Sequence, residues 1–136
     1  MKYITGIHAL NIEDSTDCCG DWHTSGIQWG SPHFNDTDTS LFGTWGIEYN
    51  KHIPEHTNTY AVANTLRAIL DLLTDPNQLG YLKGFYDDFI CTDRYNTEFF
   101  TQVLKLRDMP HWDKICNLME HEFLWDWQRF IKEQGL

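Results

Sequence analysis

The residues best equipped for chemistry stand together in Cys18-Cys19-Gly20-Asp21-Trp22-His23, where thiol, carboxylate and imidazole fall within six positions. All three groups are metal ligands. His8, His33, His52 and His56 lie in the same half of the chain, so five of the seven histidines precede residue 57. A site made by His8, Asp21 and His23, with His56 as a further donor, would suit zinc or another divalent ion. An open coordination position could then hold an activated water, with Glu48 as general base, in a small hydrolase acting on a nucleotide or another compact substrate. The spacing matches no strong ligand signature: Cys-x-x-Cys, His-Glu-x-x-His and calcium-loop patterns are all missing. Pro54 also argues against a helix that would bring His52 and His56 onto one face. The plainer expectation is a polar loop, without cofactor, in which Asp21 or His23 bonds to nearby backbone.

Nucleophilic chemistry has less support. Cys18 or Cys19 beside His23 gives a thiol–imidazole pairing in sequence, but Asp17 and Asp21 would raise a thiol's pKa and blunt it. The remaining cysteines are Cys91 and Cys116. No secretory leader is evident at Met1–Gly6, so the expectation is a cytoplasmic protein with four reduced thiols, Cys91 and Cys116 serving as small core hydrophobes. Asp87-Asp88, followed by Asp93 and Arg94, reads as a solvated helix end. The glycines are too scattered for a phosphate-cradling loop.

Acidic residues outnumber basic ones by 20 to 10, for a net charge of −10. The first 56 residues hold eight acids against Lys2 and Lys51, whereas the remainder holds twelve against eight bases. Such a field repels nucleic-acid phosphates and attracts cationic surfaces, although acidity also serves solubility alone. With no basic stripe interleaved with aromatics, direct nucleic-acid binding is not expected. Charge and abundant aromatic anchors favour an acidic interaction protein. It would bind and neutralise a basic, nucleic-acid-binding partner, in the manner of an antitoxin or a phage counter-defence inhibitor. Asp14, Asp17, Asp36 and Asp38 are the candidate contact carboxylates. Trp125 is the candidate anchor, because it points about 200° around the last helix from the inward residue Phe123. On this reading the chain is not an enzyme. A subunit acting only by self-association is the third possibility.

These residues need a scaffold. At 136 residues the chain fits one domain, and Phe, Trp and Tyr make up 15% of it. No apolar run is long enough to span a membrane. Residues 1–56 are rich in turn formers and short apolar pieces; residues 57–136 show helical spacing. Tyr3–Ile12 reads as a strand, with a helical turn at His8–Asn11 as the alternative. A short strand is expected at Gly26–Trp29, and a longer one at Leu41–Asn50 with Leu41, Trp45, Ile47 and Tyr49 on one face and a bulge or close backbone approach at Gly43 and Gly46. Thr57 or Thr59 is expected to cap a helix carrying Val62, Leu66, Ile69, Leu70 and Leu73 inward and ending near Thr74. Pro76, Thr97 and Pro110 open three further helical segments, the last presenting Trp112, Ile115, Met119, Phe123, Trp127 and Phe130. The expected class is α+β: a small N-terminal antiparallel sheet packed against three to four C-terminal helices.

The stretches His8-Ala9-Leu10-Asn11, Cys19-Gly20-Asp21-Trp22-His23 and Phe42-Gly43-Thr44-Trp45-Gly46-Ile47-Glu48 resemble segments of small bacterial proteins of unknown function. The resemblance spans most of the chain. It implies a bacterial or phage origin and no particular activity.

Overall fold

The computed structural model describes residues 1–136. Its sheet has four strands: β1 (Lys2–Ile4), β2 (Phe34–Asp36), β3 (Ile47–His52) and β4 (Thr59–Ala63), in the order β2-β1-β4-β3. β1 runs antiparallel to β2, with Tyr3 opposite Asn35, and β4 runs antiparallel to β3. The α+β expectation holds, but the sheet is mixed, because β1 and β4 meet in parallel through Ile4 and Val62. More than fifty residues separate those two strands, so no tight turn forces them to oppose one another.

The first strand is much shorter than its apolar run. It ends at Ile4, and Gly6 at φ +67° turns the chain into the short helix α1 (Gly6–Leu10). The expected strand at Leu41–Asn50 is also cut back. Gly43 and Gly46 adopt positive φ, which breaks the extended run, so pairing begins only at Ile47. Leu41 and Tyr49 are exposed, whereas Phe42 is buried. Gly46 is the expected close approach: a Cβ there would sit 2.7 Å from the Cβ of Arg67. Gly26–Trp29 is not a strand, and β2 lies further along the chain, at Phe34–Asp36.

Four longer helices follow: α2 (Thr65–Leu73), α3 (Asn96–Val103), α4 (Trp112–Phe123) and α5 (Trp125–Glu133). α2 starts later than the threonines suggested. Thr59 and Val62 belong to β4, and Asn64 is the cap, its side chain accepting from the Arg67 amide at 2.9 Å. A second free amide of that first turn, Thr65 N, donates to Asp14 Oδ2 at 2.7 Å. Both bonds satisfy donors that a helix start leaves without partners. Pro76 opens a 3₁₀ segment, Pro76–Leu82, and a single π-helical turn follows at Tyr86–Ile90.

One apolar cluster runs from Tyr3 to Phe130 through both halves of the chain. Its helical side is aromatic: Phe100 meets Phe123 at 4.8 Å and Trp127 at 5.3 Å, both nearly perpendicular. Edge-to-face pairs of this kind add roughly 0.5–1.5 kcal/mol each beyond the area they bury. Within this apolar body lies a polar knot. Arg67, fully enclosed, bonds Asp71, Tyr3 Oη, Ser40 Oγ and the Trp45 carbonyl. Asp71 Oδ2 accepts in turn from Tyr3 Oη and Thr5 Oγ1, both at 2.6 Å. Burial and the bond to Asp71 push the Tyr3 phenol up to about 12. No helix is long and apolar enough to cross a membrane.

Candidate functional site

The loop from Ile12 to His33 carries little regular structure, so its backbone groups need partners from side chains. The histidines supply them. His8 Nδ1 accepts from the His33 amide at 3.3 Å, which leaves its Nε2 to donate to the Gln28 carbonyl at 2.9 Å. His56 Nε2 donates to the Trp29 carbonyl at 2.6 Å, while its Nδ1 accepts from Tyr60 Oη at 2.9 Å. His8 thus packs edge-on against the ring of the buried Trp29 and His56 holds its carbonyl, while the Trp29 ring nitrogen donates to Thr24 O. His23 is exposed and only approaches Asp21, at 3.7 Å. Of the expected ligands His8, Asp21, His23 and His56, only Asp21 and His23 approach one another, and no three His, Cys, Asp or Glu side chains converge as a metal site. Glu48, the expected base, is held by Ser15 N, Ser15 Oγ and Lys51.

The thiols differ from expectation. Cys19 and Cys91 form a disulfide across 72 positions, and Cys91 is exposed rather than in the core. Their meeting follows from pairing of the backbones beside them, Gly20 N donating to Phe89 O at 2.9 Å. Spacing along the chain carries no sign of it. Cys18 is buried and free, and desolvation raises its thiol pKa, as it does for Cys116, pushed up to about 11. Neither is an activated nucleophile.

The carboxylates proposed for contact separate into two groups. Asp14 is engaged inside the fold, accepting from Thr65 N, Thr16 N and Thr16 Oγ1. Asp17 forms an exposed ion pair with Arg94, and Asp36 and Asp38 face the N-terminal amine. Hydrogen bonds from the Asp38 amide and that amine lower the Asp36 pKa.

Trp125 lies where expected, outside the core, and it does not stand alone. The last helical segment breaks between α4 and α5 at Leu124, whose φ of +52° and ψ of −122° are unusual for a residue with a side chain. Leu124 is 61% exposed and Trp125 is 77% exposed. Around this elbow Glu120 accepts from Gln128 at 2.6 Å and Asp126 accepts from Asn96 at 3.2 Å. Beside it Tyr86 donates to Asp93 at 2.5 Å, a bond that pushes its phenol up to about 12. Asp87 and Asp126 act on the same phenol, so three carboxylates gather around it. The sequence signal for Trp125 was its angle on one continuous helix, which the break interrupts. Leu124 had no such signal, because leucine is no turn former.

No protein-family model, no curated protein and no solved structure matches this chain.

Proposed function

We propose that this chain is an acidic interaction protein that docks a basic partner on the Leu124–Trp125 elbow. The observation that carries the reading is two large apolar side chains held in solvent at a backbone position of high conformational cost. Strain of this kind costs of order 1–3 kcal/mol and collects at functional sites. Trp is enriched among residues that dominate binding energies. Glu120 and Asp126 at the elbow, with Asp87 and Asp93 nearby, supply a negative rim, and the net charge of −10 extends the attraction. Charge would speed encounter and select the partner, while burial of the indole would supply the affinity. The partner class is a basic, nucleic-acid-binding protein whose nucleic-acid surface becomes occluded. The reading concerns a binding module, and it assigns no catalytic step.

The test begins with a partner captured at low salt and then purified. Its affinity should fall steeply between low and high salt, because exposed charges are screened over distances near 10 Å. Trp125→Ala should weaken binding by about 30-fold or more, the effect of losing an anchor worth ~2 kcal/mol. Salt-independent affinity would remove the electrostatic mechanism, and full affinity in the Trp125 variant would remove the elbow.

A further inference from the structure

A sizeable cleft lies on another part of the molecule, between α1 and the C-terminal end of α2. It encloses about 770 Å³, within the range of small-molecule sites at ~300–1,000 Å³. Ile7, Leu10, Leu72 and Leu82 give it apolar walls, and Tyr81 and Phe89 add aromatic rings. Three carboxylates line it, from Asp21, Asp71 and Asp75, with no lysine or arginine among the lining residues. Asp71 is already satisfied by Arg67, Tyr3 and Thr5. Asp75 uses Oδ1 to accept from the Asn77 amide at 2.9 Å and keeps its second oxygen; Asp21 has only the distant ring of His23. Leu72 and Thr74 bring the last turn of α2 to the wall, and a helix C-terminus carries negative partial charge.

These features share one preference. Free carboxylate oxygens and a helix C-terminus attract a cation, and apolar and aromatic walls require that the cation be carried on a hydrophobic body. An anion would meet two uncompensated carboxylates without a guanidinium or ammonium to answer it. We propose that this cleft binds a small organic amine, a primary ammonium group on an aromatic or alkyl frame. Asp21 and Asp75 would receive the ammonium, and Leu72, Leu82, Tyr81 and Phe89 would cover the frame. The site goes beyond the partner-binding reading and is independent of it, because neither Leu124 nor Trp125 lines the cleft.

The experiment titrates the full chain with phenethylamine, its uncharged analogue phenethyl alcohol, and 3-phenylpropanoate, following backbone amide resonances. It is run near pH ~8.5, where an aliphatic amine is charged and a free imidazole is not. The amine should saturate with shifts at Ile7, Asp21, Leu72 and Leu82, and the alcohol should bind about tenfold more weakly or worse. The acid should not bind. Asp21→Asn and Asp75→Asn should each weaken the amine about tenfold, the second retaining a side-chain oxygen for the Asn77 amide. Tyr81→Ala, on the exposed rim, provides a further variant that leaves the core intact. Equal binding of amine and alcohol, or preference for the acid, would overturn the proposal. So would shifts confined to another surface, no saturation by about 10 mM amine, or unchanged affinity in folded Asp21 and Asp75 variants.

Discussion

Arg67 and Asp71 illustrate how much a single buried charge can control. Arg67 has no exposed side-chain surface, and four acceptors surround its guanidinium. Taking one partner from such a pair leaves the other charged and desolvated, at a cost of about 3–5 kcal/mol. Asp71→Asn should therefore lower unfolding free energy by roughly that amount in denaturant titration, whereas Arg67→Met with Asp71→Leu should lose much less than the two single changes together. Tyr86 offers a pH signature at the same scale. Its bond to Asp93 holds the phenol proton more firmly in the fold than in the unfolded chain, whose ordinary value is 10.0. The contribution to stability is thus complete below about pH 10 and fades as pH rises through about 12. Ultraviolet titration should show Tyr86 ionising late, together with the buried Tyr3, and Tyr86→Phe should remove one phenol from that late group without shifting the other.

Among the elements, the α4–α5 break is the one whose geometry contradicts its residue. Glycine accepts positive φ without penalty, so Leu124→Gly should raise stability by about 1 kcal/mol in spite of the lost side chain. The same change removes half of the apolar elbow, and partner affinity should fall while the melting temperature rises. A gain in both would mean that Leu124 is merely tolerated. The helices on either side were legible beforehand because Ile115, Met119, Phe123, Trp127 and Phe130 repeat with the helical period, and all five are buried. The sheet was harder to read. Thr59–Ala63 has β-branched and aromatic residues that also fit the start of a helix, and its strand character comes from pairing with β1 and β3. Tyr3–Ile12 looks continuous, yet the turn at Gly6 depends on one backbone angle. The histidines show the same limit: His8 and His56 bond the neighbouring carbonyls of Gln28 and Trp29, an arrangement fixed by an irregular loop that periodicity does not describe. Trp125 is exposed as expected, but the rotation that predicted it assumed one continuous helix, and the break at Leu124, which follows no residue preference, lies between it and Phe123.

For the whole molecule, charge is distributed differently from its distribution along the chain. Asp14 is engaged at the start of α2, Glu48 is held by Ser15, and Asp17 is neutralised by Arg94, so the N-terminal excess is smaller at the surface than in sequence. The acids around the elbow come instead from the helical half, whose imbalance along the chain is the milder one, twelve acids against eight bases. The two halves are also joined covalently. Closing a loop of 72 positions stabilises the fold by about 4 kcal/mol in the chain-entropy model, so Cys91→Ser or reduction should lower unfolding free energy by roughly 2–4 kcal/mol. Because that bond ties position 19 to position 91, a protease nick anywhere between them leaves the pieces tethered. Digested protein should migrate as one species on a denaturing gel and split into two only when reductant is added.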